Sequence, residues 1–186
     1  MTTDTIDIQG SIITYTGRLF WPLTPRIEDI NLLDICHALS NQCRFTGHTN
    51  SFYSVAEHSC HVHDNLPQEY KLAGLLHDAS EAYLMDLARP VKEQDAMFLF
   101  REAEEKIMKL IAEKFGFEYP YPKDIYKVDK ILLNTEYRDL MSKNKLREAD
   151  FNGYKPLEKR IIPWQSPEAK YGMIERLEKL GMTVGR

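Results

Sequence analysis

Residues 54–92 read SVAEHSCHVHDNLPQEYKLAGLLHDASEAYLMDLARPVK. Ser54 and Glu57 have the spacing of a capping box, in which the serine oxygen accepts a backbone N–H and the glutamate reaches back to the cap. A helix is therefore expected through His58 to about His63, where Asp64, Asn65 and Pro67 break it. From Gln68, the residues Tyr70, Leu72, Ala73, Leu75 and Leu76 are apolar nearly all round, which predicts a buried helix. His77 and Asp78 come at its end. Adjacent helical side chains point about 100° apart, so these two can share one ligand only at a helix end or a kink. Ala79, Ser80 and Glu81 begin a further short helix, and Pro90 marks a turn. So many ligand-type side chains beside the apolar LAGLL point to a divalent-metal site held between helices.

Working outward, residues 6–20 are rich in Ile, Thr and Tyr with Gly10 and Gly17 as punctuation, which predicts one or two short strands. A helix is expected from Glu28–Asp29 to about Ser40, with Ile30, Leu33, Cys36 and Leu39 at helical spacing and His37 read as a hydrogen-bonded core histidine. Residues 41–53 form a polar loop that holds Arg44–Phe45 and Gly47–His48. On the other side, residues 94–116 predict a long amphipathic helix closed by Gly116. YPYPK connects it to a helix from Asp124 to about Lys143, on which Asp129 can turn toward the core. Residues 143–165 read as loop, with the apolar run Arg160–Trp164 a candidate to extend the N-terminal strands. Ser166–Pro167 opens a last helix that ends at Leu180–Gly181. The expected fold class is all-α: a bundle of six or seven helices with a small N-terminal β element.

The chain has 186 residues, 43% hydrophobic and 28% charged, which fits one globular domain over 1–186. A formal charge of -4 argues against a nucleic-acid polymer as partner, but a small nucleotide can still be held by a few local cations. Cys36, Cys43 and Cys60 show no CxxC pattern and read as reduced thiols of a cytoplasmic protein, two of them core fillers. No apolar run is long enough to predict a membrane span, and the acidic N-terminus is unlike a signal peptide.

Two imidazoles and two carboxylates make a mixed nitrogen and oxygen set that suits Mn, Co, Fe, Ni or Zn. His58, His77, Asp78 and one later aspartate would leave two positions of an octahedral shell open, as a catalytic site requires. Facing helices of a bundle can supply such a set. His61 and His63 extend His58 into H-x-x-H-x-H. On a helix 58 and 61 are neighbours while 63 lies on roughly the other side, so both read as surface or supporting residues rather than ligands. Glu57 reads as a cap.

AEHS at 56–59, LLHDASE at 75–81, D-L-x-x-P-V-K at 86–92 and the aspartate of V-D-K at 129 together resemble the HD-domain phosphohydrolase superfamily. Within it the likeness is to the 5'-deoxynucleotidase branch and to related phage enzymes that strip phosphate from deoxynucleotides, and it spans roughly residues 27–142. The resemblance implies an HD-type helical bundle with His58, His77, Asp78 and Asp129 as metal ligands. Asp124 and Asp139 compete with Asp129 for the last place. It implies Glu81 as the residue handling the attacking water, Asp86 as a sugar-hydroxyl contact and Arg44 as a phosphate ligand. Where the family has a tryptophan that crowds out the ribose 2'-hydroxyl, this chain has Phe45.

The chemistry of the residues agrees. Asp78 can hold the metal while Glu81, three residues on, stays unligated and accepts a proton. Arg44 can fork two phosphate oxygens. His48 can add a donor to phosphate or merely stabilise the turn after Gly47, and Lys92 reads as an exposed lysine after a turn. The expected activity is metal-dependent removal of phosphate from nucleotides, best matched to deoxynucleoside 5'-monophosphates. A deoxynucleoside triphosphate hydrolase using Arg89, Lys92, Arg101 and Lys127 is the alternative enzyme. A non-catalytic nucleotide-binding sensor is the alternative of another class. The expected partners are a small-molecule nucleotide and, through a second apolar side of the 94–116 helix, further copies of the chain in a homo-oligomer, with no membrane.

Overall fold

The computed structural model describes residues 9–143 and 153–185. Two short antiparallel strands, β1 (Ile12–Ile13) and β2 (Leu19–Phe20), pair with Ile12 opposite Phe20. Among the described residues seven α-helices follow: α1 (Leu32–Asn41), α2 (Val55–Asp64), α3 (Lys71–Leu75), α4 (Arg89–Lys92), α5 (Phe98–Phe115), α6 (Lys123–Leu140) and α7 (Ser166–Lys179). The all-α bundle with a small β element is what the periodicities predict. None of the helices is long and apolar enough to cross a membrane.

The bundle is built around α2, which packs against α1, α3, α6 and α7 and is buried from Val55 to Cys60. One side of α2 joins the main core, in which Ile35 and Leu39 of α1, Ile107 and Ile111 of α5 and Met173 and Leu177 of α7 are all fully buried. The other side meets α6 through Val62, Leu66, Ala73, Ile125 and Leu132. Burying an aliphatic side chain of this size contributes about 1.5–3 kcal/mol, so these two seams hold the helices in place. Cys36 and Cys60 fill the core as expected, and Cys43 is exposed.

The differences from expectation have local causes. Ile27–Asp29 forms a single 3-10 turn and α1 starts only at Leu32, because the Asn31 side chain accepts from the Leu33 and Asp34 N–H groups and caps the helix there. The box at Ser54 is half formed. Ser54 Oγ accepts from the Glu57 N–H at 3.1 Å, but the Glu57 carboxylate is buried and accepts instead from the Trp164 N–H at 3.0 Å. Arg160–Trp164 consequently does not join the sheet. Its Ile161 N–H donates to Asp139 and its side chain packs on Tyr53 and Leu140. His37 is half-buried rather than core, stacked on Tyr15 at 3.7 Å with Lys170 and Asn41 at its ring nitrogens. Part of the predicted 143–165 loop lies outside the described residues. Gly116 closes α5 in the left-handed conformation at φ 75, where glycine carries no Cβ penalty.

α7 is tied to α2 by a forked ion pair, Arg176 Nε to Asp64 Oδ1 at 2.9 Å and Nη2 to Oδ2 at 2.6 Å. Burial pushes the Asp64 carboxyl up, but hydrogen bonds from His63 and Arg176 outweigh it and hold the group well below the ordinary carboxylate range. A depressed folded pKa means stability that is present above the unfolded value and lost as pH falls through the folded one. With Asp64 43% exposed, solvent screening limits the gain. Asp64→Asn is expected to lower stability at pH 7 by about 0.5–1 kcal/mol, and by less as acid protonates the wild-type carboxyl. Equal urea midpoints for the two proteins at pH 7 would refute this role.

Candidate metal centre

His58 lies on the α6 side of α2 with no solvent exposure. α3 ends at Leu75, and the chain turns through a 3-10 segment at Ala79–Ala82, so the side chains of His77 and Asp78 converge as a helix end permits. Asp129, on α6, completes the group. His58 Nε2 is 3.3 Å from His77 Nε2 and 3.2 Å from Asp129 Oδ1, and His77 Nε2 is 4.0 Å from Asp129 Oδ1. Asp78 Oδ2 lies alongside, 3.2 Å from His77 Nε2 and 3.7 Å from His58 Nε2. His58, His77 and Asp129 form a group that could hold a metal ion. The other claimants sit elsewhere. Asp124 occupies the exposed first turn of α6, and Asp139 is paired with Arg138 and Arg160.

The second nitrogen of each imidazole is accounted for. His77 Nδ1 is 2.8 Å from the Gly74 carbonyl, which only accepts, so Nδ1 carries the proton and the Nε2 lone pair is left for a cation. His58 Nδ1 is 2.5 Å from Glu136 Oε1. Exposure rises from His58 at the floor to Asp129, 38% exposed, at the rim, so the centre opens to solvent on the α6 side.

The electrostatics call for positive charge. Asp78, Asp86, Asp129, Glu81 and Glu136 crowd around Arg44, and Lys92 also acts on Glu81. Burial pushes the Glu81 carboxyl well above its ordinary range, and Asp78 and Asp86 push it further. Burial likewise raises the Asp86 carboxyl, more than Arg44 lowers it. Asp78 and Asp129 go the other way: burial raises them, but the imidazoles, and for Asp78 also Arg44, hold both below the usual carboxylate value. Burial and Arg44 lower the His58 pKa, yet Glu136 and Asp129 prevail and draw it up to about 9. Two buried polar atoms at the centre lack a hydrogen-bond partner among the described residues, Arg44 Nε and Glu81 Oε2. An unmet donor and an unmet acceptor beside a cation-deficient cluster fit a centre that takes a divalent ion and an anionic ligand.

Arg44 reaches the cluster from the loop after α1, with Nη1 3.5 Å from Asp78 and Nη2 3.1 Å from Glu136. The turn that carries it is strained. Phe45 and Thr46 both sit at φ 54, a left-handed conformation that costs roughly 1–2 kcal/mol per L-residue. The Arg44 N–H to the Tyr53 carbonyl, 2.9 Å, helps hold the turn. Phe45 is half-buried, 5.4 Å from the Tyr137 ring and from the Arg44 guanidinium carbon. Asp86 is half-buried near Arg44 and Asp78. His48 is exposed at the end of the turn, and the hydrogen bond described for it is its backbone N–H to the Phe45 carbonyl, so it is not brought to the cluster. His61 lies 3.5 Å from Glu57, and His63 is buried against Asp64 rather than at the surface; neither joins the centre.

Four residues that the sequence reading did not assign to the site support it. Glu136 is fully buried behind His58. Gln42 clamps the 81–86 segment, donating to the Glu81 carbonyl at 2.8 Å and accepting from the Asp86 N–H at 3.1 Å. The Tyr121 hydroxyl donates to the His77 carbonyl at 2.9 Å. Lys92 is not an exposed lysine but is partly buried, 2.5 Å from Glu104 and within electrostatic reach of Glu81 and Asp78. Glu136 had a readable signal, standing seven residues after Asp129 and hence on nearly the same face of α6. Lys92 had one too, as the lysine of D-L-x-x-P-V-K and a cation of the triphosphate alternative, whereas Gln42 and Tyr121 had none. A hollow of about 610 Å³, lined by Trp164, Tyr171, Ile174 and Arg176, lies along α7. It shares no residue with the centre and is open, so volume does not mark the chemistry here.

No family model matches the chain. The chain is similar to the uncharacterised protein YfdR of Escherichia coli, with 40% identity over 129 residues, 69% of this chain and 71% of that protein. It is also similar to an uncharacterised protein of Rhodobacter capsulatus, with 32% identity over 124 residues, 62% of this chain and 63% of that protein. At the first of these levels of identity and coverage, the chain with this His–Asp centre belongs to the family of YfdR.

Proposed function

We propose that this protein is a metal-dependent phosphohydrolase of the HD-domain superfamily, acting on nucleotides and best suited to deoxynucleoside 5'-monophosphates. The observation that carries the reading is the convergence of His58 Nε2, His77 Nε2 and Asp129 Oδ1, with Asp78 Oδ2 beside them. These four would hold a divalent ion such as Mn, Co, Fe, Ni or Zn. Such an ion supplies Lewis acidity, favouring deprotonation of water and polarising a phosphoryl oxygen.

The chain's own residues do the rest. Glu81, buried with Oε2 unpaired, accepts the proton of the attacking water at that oxygen. Burial, Asp78 and Asp86 raise its pKa, the direction that makes the carboxylate a stronger base. Arg44 offers its unpaired Nε–H to a phosphate oxygen, in a site dry enough to strengthen that contact. Asp86 accepts from a sugar hydroxyl, and Phe45 flanks the sugar. The neighbouring cations favour a short phosphate chain, since Arg89 pairs with Glu93 and Arg101 donates to the Lys92 and Gln94 carbonyls.

The test is phosphate release across ribo- and deoxynucleoside mono-, di- and triphosphates with Mn(II) or Co(II). Inorganic phosphate from the monophosphates is expected. Tripolyphosphate from triphosphates would move the assignment to a triphosphate hydrolase. No hydrolysis with any divalent ion would overturn it in favour of a nucleotide-binding sensor.

A further inference from the structure

Glu136 carries a carboxylate with no solvent exposure. A charge in that position is tolerated only when its partners compensate it, so the partners define what it does. Oε1 is 2.5 Å from His58 Nδ1 and accepts from the Tyr53 hydroxyl at 2.9 Å, and Oε2 accepts from Arg44 Nη2 at 3.1 Å. The Arg44 guanidinium can only donate and the Tyr53 hydroxyl donates as well, so both Glu136 oxygens act as acceptors.

We propose that Glu136 is a positioning residue that fixes the ring orientation and tautomer of His58 as a metal ligand, and holds the Arg44 guanidinium from the same carboxylate. The inference rests on the metal-centre reading above. A carboxylate whose two oxygens both accept does not donate, so the nitrogen facing it carries the proton. Nδ1 is that nitrogen, which leaves Nε2 to the metal, and Nε2 is the atom aimed at His77 and Asp129. The anion behind the ring also makes Nε2 a more basic ligand. Tyr53, itself fully buried, grips the same oxygen, so the ring is braced against a fixed point.

The helix makes the arrangement possible. Asp129 and Glu136 are two turns apart on α6, about 20° apart around its axis. One helix thus places a carboxylate in front of His58 and another behind it. Because Oε1 and Oε2 belong to one planar group, the imidazole and the guanidinium cannot be re-aimed independently. The metal ligand and the anion-binding arginine are set by a single side chain.

The experiment compares the full-length wild type with Glu136→Gln. Mn(II) affinity is read from the free ion by electron paramagnetic resonance, and the His58 ring N–H by proton NMR of the Zn(II)-loaded protein. Glu136→Gln is expected to weaken Mn(II) binding by about 10–100-fold. It should also abolish a far-downfield ring proton that the wild type shows, a signal that a purely structural residue would not move. If Glu136→Gln does not fold, Tyr53→Phe removes one brace and keeps the charge, and a few-fold loss of Mn(II) affinity with a shifted ring proton is expected. Wild-type Mn(II) affinity with an unchanged ring proton, in whichever variant folds, overturns the positioning role and leaves the metal centre standing. Failure of the wild type itself to bind Mn(II) brings down the metal centre and this role together.

Discussion

Glu81→Gln is expected to cut phosphate release by about 10²- to 10⁴-fold, the range for losing a general base, with metal content unchanged. The metal stays because Glu81 is not among the converging donors, whose atoms belong to His58, His77, Asp129 and Asp78. The same change should stabilise the metal-free fold. Burial, Asp78 and Asp86 raise the Glu81 carboxyl, so the folded chain holds that proton to higher pH than the unfolded chain. Where the folded state binds more protons, stability falls as pH rises through the window from the unfolded value of about 4.3 up to the folded value. Glutamine does not ionise and escapes that loss. The variant's melting temperature should exceed the wild type's at pH 8, with the gap closing toward pH 4. Full activity in Glu81→Gln, measured as phosphate release, would remove Glu81 from the mechanism. A lower melting temperature at pH 8 would mean the carboxylate is structural.

His77→Ala should remove most of the metal-dependent behaviour. Four-ligand structural zinc sites bind with about 10–16 kcal/mol, so one ligand is worth on the order of 3 kcal/mol, or about two decades of affinity. His77 is a clean choice, because its ring is held only by the Gly74 carbonyl and the cluster, whereas His58 is also bonded to Glu136. Metal at 100 times the wild-type dissociation constant stabilises the wild type by about 2.7 kcal/mol, and that increment should fall to about 0.4 kcal/mol in the variant. His61→Ala is the control. It lies outside the centre and next to Glu57, so metal content should not change. Metal retained by His77→Ala and lost by His61→Ala would move the site to the face of α2 that carries His58 and His61.

The helices were legible where periodicity and caps act locally, as in α5, whose apolar spacing and closing Gly116 lie in one window. They were less legible where a side chain far along the chain decides. Glu57 reads as half of a capping box until Trp164, 107 residues on, claims its carboxylate. Arg160–Trp164 has the apolar look of a strand, but Asp139 and Tyr53 fix it elsewhere. In the centre, donors with a recognisable type and position could be named in advance. Glu136, Gln42 and Tyr121 act through ordinary hydrogen bonds whose partners only the fold supplies. His48 shows the converse, a chemically able residue that its turn leaves facing solvent.

The contacts at the centre are also long in sequence. Glu136 meets His58 across 78 residues and Arg44 across 92. Closing loops of that size costs entropy before the contacts return anything, so such pairs belong late in the order of assembly. α2 and α3, near neighbours along the chain, can pack first and bring His58 beside His77, but the His58 ring stays unbraced and the pair lacks Asp129 until α6 docks. The centre therefore acts as a checkpoint on its own maturation. A nascent or partly folded chain owns fragments of the donor set and none of the machinery, and the capacity to hold a metal arrives together with the finished fold.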